Sequence, residues 1–540
     1  MQDAEAYYKQ EQNIKYVSDS YGKESWVRVS GKDILNRAEA HFWCALIKKT
    51  KVKSVFRDFS WDTDGMSDGP GFEGGGSTYT YKRNLVTGGI EPLLYYRNFY
   101  GVIPDCVELA QEFILLNNLY YDSIKHSYFE LCMDGETEEA VRYQKDNCTV
   151  SVKLKYLQKY AAAKQMAILL FFDIRAEIEG SLEENGLDKF FDTFKDKDLY
   201  YSIWGDQMDF GNKHVYSVLM GKKILYPNAV DQCGYWPYEK KEKYETFIIG
   251  TDAFGNTKEY TCNPSKLANN FGTNADAPYY FTPVFFKKEV LQKYILKPEL
   301  YTITDGSLQC QVLWQLQIDN HHKDCVIAYL GDLGKNLPES ERLYWKSYNI
   351  DSDEKLSRVT FERDFMCLPS ESNMIDHKFQ RDYAKVIDYW NKKYGWSIFL
   401  PLTEQDEYNL SQIRIPLTNS QPEFDMLVLS LVKVLIDSLN EAKLKETLTR
   451  ECKNGSINEL QGWLEEHNCQ DYEIHIKFLR EVQELRSTGT GHRKGTNYNK
   501  TARKFDVGIK TLKDVFENIL EKADEFLLYL MKILFLKMGP

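Results

Sequence analysis

Apolar side chains recur at helical spacing through roughly the last 120 residues, and this pattern constrains the fold more than any other. A helix with one apolar stripe must bury that stripe against other elements. Four such segments joined by modest loops therefore predict a helical bundle. The predicted helices and stripes are 420 to about 450 (Phe424, Leu427, Leu431, Val434, Leu435, Leu439), 456–467, 471 to about 486 (Ile474, Phe478, Val482, Leu485) and about 506–538 (Ile509, Leu512, Phe516, Ile519, Ala523, Phe526, Leu530, Ile533).

Two of these helices begin with sequences typical of a capping box, in which Ser and Glu side chains satisfy backbone groups at the helix start. Ser420-Gln-Pro-Glu423 precedes the first helix, and its proline suits a first helical turn. Ser456-Ile-Asn-Glu459 precedes the second helix. Both predict where the chain enters the bundle.

The first 400 residues favour sheet, because aromatic residues often stand beside β-branched ones there. Cys106–Tyr120 has helical spacing, whereas Gln309–Ile318 and Cys325–Leu330 are predicted to be paired strands. A chain of 540 residues is too long for one core. We expect an α+β fold with three domains: an N-terminal α+β domain (1–245), a middle β-rich α+β domain (246–402) and a C-terminal helical bundle (403–540).

Composition points to a soluble cytoplasmic protein. The opening segment MQDAEAYYKQEQ lacks an apolar signal core, and no run of 18 apolar residues occurs, so no membrane segment is expected. The 11 cysteines are scattered without a CxxC pair, which is typical of reduced thiols. The formal net charge is −12, which disfavours general nucleic-acid binding.

One short segment is positively charged, in contrast to the negative net charge of the whole chain. Residues 485–504 read LRSTGTGHRKGTNYNKTARK and contain no acidic residue. A local positive cluster on an acidic protein suggests an anionic ligand at that place. The six cationic residues are Arg486, Arg493, Lys494, Lys500, Arg503 and Lys504.

Within this segment Arg486 and His492 form the candidate catalytic pair. Gly489 and Gly491 let the backbone bend, so His492 can lie near Arg486. An imidazole can transfer a proton at neutral pH, and a guanidinium can bind a phosphate and stabilise developing charge. Together they could cleave RNA without a metal or a cofactor. The polar residues Asn497 and Tyr498 would support the site.

The alternative is a solvated basic turn, because this spacing of arginine and histidine also arises by chance in a chain with nine histidines.

The C-terminal region, with Arg486-Ser-Thr-Gly-Thr-Gly-His492, resembles the HEPN superfamily, whose signature is arginine, four to six residues, then histidine between core helices. The resemblance covers about 120 residues. Family members often carry Asn, Asp or His after the arginine, where this chain has Ser487, whose hydroxyl can also hydrogen-bond the site.

The resemblance implies a metal-independent endoribonuclease, of the kind found in prokaryotic antiphage and toxin systems. It implies catalytic roles for Arg486 and His492, RNA as a partner, and a homodimer with two facing motifs. Arg493, Lys494, Lys500, Arg503 and Lys504 are predicted to bind RNA. The N-terminal domains would regulate the nuclease or bind a trigger or partner protein.

A binding or scaffold protein that dimerises through the bundle without cleaving RNA is the main rival interpretation.

Two further groupings are weaker. His321 and His322 stand with Asp319, Asp324 and Cys325 in one short loop without a remote partner, so a hairpin turn is favoured over a metal-dependent enzyme there. Arg37 and His41 are four residues apart on a predicted helix, where a plain surface pair is expected.

Overall fold

The computed structural model describes residues 2–60, 70–82, 90–144, 148–208, 214–449, 453–489 and 494–536. The chain forms two compact units, Met1–Cys132 with Glu136–Glu242, and Met133–Gly135 with Lys243–Pro540. The architecture is mixed α+β, with sheets toward the N-terminus and helices toward the C-terminus, as expected from the sequence. The three-domain division stays a prediction.

The first unit is built on one sheet of eleven strands, counted over the described residues. The strands of this unit, including two small hairpins, are β1 Trp26–Leu35, β2 Ala38–Lys48, β3 Gly71–Gly75, β4 Thr78–Lys82, β5 Ile90–Pro92, β6 Leu94–Arg97, β7 Cys106–Leu109, β8 Leu119–Asp122, β9 Ser127–Leu131, β10 Thr137–Gln144, β11 Thr149–Lys153, β12 Met166–Glu179, β13 Phe190–Lys195, β14 Leu199–Met208 and β15 His214–Leu225. The strands of the large sheet run in the order β13-β14-β15-β12-β2-β1-β11-β10-β9-β8, β5 also pairs with β2, and the hairpins are β3-β4 and β6-β7.

Gly31 lies where β1 changes partner, pairing with β11 before this point and with β2 after it. Its φ of 104° is in the region that favours glycine, and a Cβ there would lie 2.4 Å from the Thr149 backbone. The sheet can therefore bend at this residue. The helices of the unit are α1 Gln2–Tyr8, α2 Glu11–Lys15, α3 Val52–Val55, α4 Gln111–Leu116, α5 Leu154–Lys164 and α6 Leu182–Asn185.

The second unit contains a sheet of six antiparallel strands in the order β19-β20-β21-β22-β18-β23, again within the described residues. A separate hairpin, β16-β17, lies at its N-terminal side in the chain. The strands are β16 Thr246–Thr251, β17 Thr257–Thr261, β18 Pro283–Lys287, β19 Tyr301–Ile303, β20 Ser307–Cys310, β21 Trp314–Asp319, β22 Cys325–Tyr329 and β23 Asn349–Ile350.

The helices of the second unit include a bundle with its own apolar core. The helices are α7 Gln292–Ile295, α8 Leu330–Asn336, α9 Glu339–Lys346, α10 Arg358–Asp364, α11 Ile375–Tyr394, α12 Tyr408–Gln412, α13 Gln421–Val432, α14 Glu441–Thr447, α15 Ser456–Glu466, α16 Tyr472–Gly489, α17 Thr496–Arg503 and α18 Leu512–Leu536. The long helices α11 and α18 pack along each other, and α13 packs against α16.

Helix α11 is an element that the sequence interpretation missed. Phe379, Tyr383, Val386 and Trp390 on this helix are at most 3% exposed and belong to the bundle core. The bundle core therefore includes residues that the sequence-based division assigned to the middle domain.

The helix predicted from 420 to about 450 is wrong in its length. The α-helix ends at Val432, and the chain then forms a π-helical turn over Lys433–Asp437. A new α-helix follows, with Asn440 at its N-cap. The Asn440 side chain accepts a hydrogen bond from the backbone N–H of Lys443 at 3.2 Å. A side-chain cap thus starts a second helix where one continuous helix was predicted.

Both predicted capping boxes are wrong in detail. Ser420 occupies the N-cap of α13 but makes no capping hydrogen bond, and the Glu423 carboxylate instead accepts from the backbone N–H groups of Leu417 and Thr418. Gly455, not Ser456, is the N-cap of α15. In the first case Glu423 stabilises the preceding loop rather than the helix start.

Two residues of the predicted stripes do not reach the core. Ile474 is 71% exposed and Ile509 is 79% exposed. Ile509 lies between α17 and α18, because the final helix begins at Leu512 rather than at about Asp506 as predicted. The other predicted stripe residues from Phe516 to Ile533 are buried.

Three local predictions in the sheet region are also corrected. Cys106–Tyr120 is not one helix but β7, α4 and the start of β8. Gln309–Ile318 is two strands joined by a turn, and the second of them, β21, pairs with β22 as predicted. Arg37 lies in the turn of the β1-β2 hairpin, and His41 lies on β2, where its Nε2 is 2.9 Å from Glu39. The helix predicted for that pair is therefore absent from the described structure.

Candidate functional site

Arg486 lies in the last turn of α16, whose buried residues Val482 and Leu485 fix that helix in the bundle. The Arg486 Nη2 atom donates to the two carboxylate oxygens of Asp437 at 3.0 and 3.1 Å. Asp437 ends the π-helical turn that follows α13. The Arg486 side chain remains 29% exposed, so it can contact a ligand in solvent.

His492 and Arg493 lie outside the described residues, so the predicted proximity of His492 to Arg486 stays a prediction. Ser487 is in the same final turn of α16, and its hydroxyl donates to the Glu484 carbonyl at 3.1 Å. Gly489 is the last residue of α16 rather than a bend after it. A Cβ on Gly489 would lie 3.2 Å from the Tyr498 ring, so this glycine permits close packing.

Helix α17 carries the remaining predicted residues. Tyr498 is 6% exposed, and its hydroxyl accepts a hydrogen bond from Gln421 Nε2 at 2.9 Å. Asn497, Lys500 and Arg503 are exposed. Tyr498 therefore packs α17 against the start of α13, while the exposed side chains remain accessible to a polyanion.

Acidic residues from other helices meet part of the basic segment. Lys494 forms an ion pair with Asp425 on α13. Lys504 lies 3.1 Å from Glu484 on α16, and the hydrogen bond from Lys504 lowers the pKa of the Glu484 carboxyl. With Asp437 beside Arg486, three of the five cationic residues that the structure describes here thus have carboxylate partners that the local sequence does not reveal.

A second group of polar residues lies around His321, in the connection between β21 and β22. His321 Nδ1 is 2.8 Å from Asp319, and His321 Nε2 is 3.4 Å from Asp305 in the β19-β20 turn. His377 lies in the first turn of α11, and Asp305, His321 and His377 each offer one ligand atom, all within 4.8 Å of one another. The expectation that His321 lacks a remote partner is therefore wrong.

The titratable side chains of this group have shifted pKa values. Burial lowers the pKa of His321, but hydrogen bonds with Asp305 and Asp319 outweigh that effect and raise it above the ordinary value. The hydrogen bond from His321 in turn holds the pKa of Asp305 well below its usual range. Burial lowers the pKa of His377. At neutral pH the group therefore combines ionised carboxylates with a neutral imidazole at His377.

A cavity of about 600 Å³ adjoins this group inside the second unit. Asp305 and His377 line the cavity together with the cationic side chains of Lys288, Arg381 and Arg414. Lys288 is only 6% exposed, and its Nζ donates to the backbone carbonyl of His322. The sequence shows these residue types, but it does not show that the fold brings them together around one cavity.

Comparison of the chain with protein-family models, with curated proteins and with solved structures gives no significant match. Among the described helices, none is long and apolar enough to cross a membrane.

Proposed function

We propose that the chain is a metal-independent endoribonuclease of the HEPN type, acting as a prokaryotic defence or toxin effector. One observation carries the proposal: the arginine of the Arg-x5-His motif lies, partly exposed, on the last turn of a helix anchored in a bundle core. The π-helical turn that supplies Asp437 adds support, because such turns occur frequently at functional sites.

In the proposed reaction His492 removes the proton of a ribose 2′-hydroxyl, whose oxygen then attacks the adjacent phosphorus. The bond from phosphorus to the 5′-oxygen breaks, and that oxygen takes up a proton. Arg486 stabilises the charge that develops on the phosphate oxygens. The products are a 2′,3′-cyclic phosphate and a 5′-hydroxyl, and no metal or redox step is needed.

RNA binding is assigned to Arg493, Lys494, Lys500, Arg503 and Lys504. The exposure of Lys500 and Arg503 on α17 supports direct contact with the phosphate backbone. Lys494 and Lys504 would exchange their carboxylate partners for phosphates. Ser487, Asn497 and Tyr498 would position the catalytic residues and the bound strand.

A homodimer fits the chemistry, because cleavage benefits from both a base and an acid and each motif supplies one imidazole. Two-fold pairing of the bundles would bring a second motif to the site. The large N-terminal part would then restrain the nuclease until a trigger or partner protein binds.

The test is to incubate the purified protein with total RNA in EDTA and to analyse the fragment ends. Fragments with 2′,3′-cyclic phosphate ends are expected from the wild-type chain and not from His492→Ala. Stoichiometric RNA binding without fragments would instead favour the rival function, a non-catalytic RNA-binding or scaffold protein.

A further inference from the structure

Asp305, His321 and His377 have the residue types and the separations of a metal site. Two imidazole nitrogens with one carboxylate are a common ligand set for divalent first-row transition metals. Mg²⁺ and Ca²⁺ prefer oxygen ligands alone, so they fit this set poorly. The three ligands come from three separate elements, the β19-β20 turn, the β21-β22 connection and helix α11.

The distances agree with a single ion. In a tetrahedral site with bonds of about 2.0–2.1 Å, neighbouring ligand atoms are about 3.3 Å apart. His321 Nε2 and Asp305 Oδ2 are 3.4 Å apart, and all three ligand atoms lie within 4.8 Å of one another. Side-chain movements of about 1 Å would close the group on one ion.

The outer contacts orient both imidazoles correctly. His321 Nδ1 lies 2.8 Å from Asp319, and His377 Nδ1 lies 2.8 Å from the Ser372 hydroxyl. Each histidine therefore uses its Nδ1 for a protein partner, which leaves Nε2 as its ligand atom, and His321 Nε2 faces Asp305. Histidine ligands in metal sites show this arrangement almost always, because the second contact sets the tautomer and the ring orientation.

Further contacts hold these outer residues in place. Asp319 is 2% exposed and also accepts a hydrogen bond from the Ser357 backbone N–H at 2.7 Å. Asp305 Oδ2 pairs with Arg363 at 2.8 Å. The same oxygen is the one 3.4 Å from His321 Nε2, so the carboxylate must turn for one oxygen to bind the ion while the other keeps the Arg363 pair.

The adjoining cavity supplies the open side of the site. Asn320 also lines the cavity, is 7% exposed, and its Oδ1 has no hydrogen-bond partner among the described residues. A buried acceptor without a donor is costly unless a ligand or water satisfies it. Lys288 on the same wall donates to a backbone carbonyl, so its charge favours an anionic ligand, whereas Arg414 is already paired with Glu423 at 2.7 Å.

We propose that Asp305, His321 and His377 bind one divalent first-row transition-metal ion, with a coordination position open to an anionic ligand in the cavity. The site is separate from Arg486 and His492, and its ion takes no part in the proposed RNA cleavage. A chelator should therefore remove the metal while leaving cleavage intact, so the two proposals can fail independently.

The experiment is a titration of chelator-treated full-length protein with Co²⁺, followed by visible absorption and by competition with Zn²⁺. The wild-type chain should bind one Co²⁺, which Zn²⁺ displaces. His377→Ala and Asp305→Asn should each weaken binding at least about tenfold, and Asp319→Asn should weaken it about 10- to 100-fold through the orientation of His321.

His475→Ala is the matched control, because His475 also lies on a bundle helix, where it stacks 4.3 Å from Tyr529. It should bind Co²⁺ as the wild type does. If His377→Ala does not fold, the nearly isosteric Asp305→Asn decides the question. Absence of saturable binding by the wild type at micromolar Co²⁺, or wild-type affinity in Asp305→Asn, would overturn the proposal.

Discussion

Arg486 and Asp437 are 49 residues apart in the chain and form an ion pair in which one guanidinium nitrogen contacts both carboxylate oxygens. Their side chains are 29% and 41% exposed, and exposed pairs of this kind contribute only about 0–1 kcal/mol to stability. The pair therefore matters more for the orientation of Arg486 than for the fold. In the proposed nuclease Asp437 is a positioning residue.

Replacing Asp437 with Ala should lower the kcat of RNA cleavage about tenfold with little change in KM, because a small misplacement of a catalytic group is costly. Steady-state kinetics in EDTA measure kcat and KM separately. Asp425→Ala, which removes the partner of Lys494, is the matched control and should leave kcat unchanged. Equal kcat for Asp437→Ala and wild type would remove the positioning role.

Substituting Arg493, Lys494 and Lys500 with Gln should weaken RNA binding and flatten its salt dependence. Each lost phosphate contact on a single strand reduces the slope of log K against log salt by about 0.7, so three contacts reduce it by about 2. Filter binding at several salt concentrations gives this slope. Cleavage at saturating RNA should suffer less.

The control for that triple variant replaces three lysines outside the segment, Lys392, Lys443 and Lys445, and should keep the wild-type slope. An unchanged slope in the triple variant would mean that the segment is a solvated basic turn.

The protein should form at least a homodimer through its helical bundle, since a facing second motif would supply the second proton-transfer group. Multi-angle light scattering at micromolar concentration measures the mass directly. A mass of 63.2 kDa, that of a single chain, at every concentration tested would contradict this prediction.

Trp390 should be essential for the bundle. It is fully buried on α11, with its ring centroid 5.0 Å from that of Trp463 on α15. Trp390→Ala should lower the free energy of unfolding by about 3–5 kcal/mol, because it leaves a large cavity. Chemical denaturation of the neighbouring Tyr389→Ala variant, whose side chain is 37% exposed, should show a much smaller loss.

The apolar spacing of the sequence was sufficient to predict the core of α16 and α18, because Phe478, Leu485 and Phe526 are buried as expected. Helix α11 has an equally regular stripe, Phe379, Tyr383, Val386 and Trp390, yet it was missed. Its aromatic residues and its position after a sheet region favoured a β interpretation. The β propensity of the aromatic residues therefore indicated the wrong secondary structure, whereas the apolar periodicity indicated a helix.

The two candidate sites also differ in how much of each could be predicted from the local sequence. Arg486 belongs to a local motif, so its position at a helix end could be predicted from neighbouring residues. Asp305 and His377 are 16 and 56 residues from His321, and only the folded chain brings them together. The carboxylates that pair with Lys494 and Arg486 also come from a distant helix and a distant turn, so the strength of the basic segment could not be predicted locally.

In the proposed mechanism Arg486 and His492 cleave RNA without a metal. The most direct measurement is the rate of formation of 2′,3′-cyclic phosphate ends, in EDTA, by wild type, His492→Ala, Arg486→Ala and Arg486→Lys at matched concentration and fold. Loss of a proton-transfer group should slow cleavage about 10²–10⁴-fold in His492→Ala, with a comparable loss in Arg486→Ala. Arg486→Lys should recover only part of the activity, because an ammonium cannot make two parallel hydrogen bonds to phosphate. Wild-type cleavage by His492→Ala would exclude the nuclease assignment at this site.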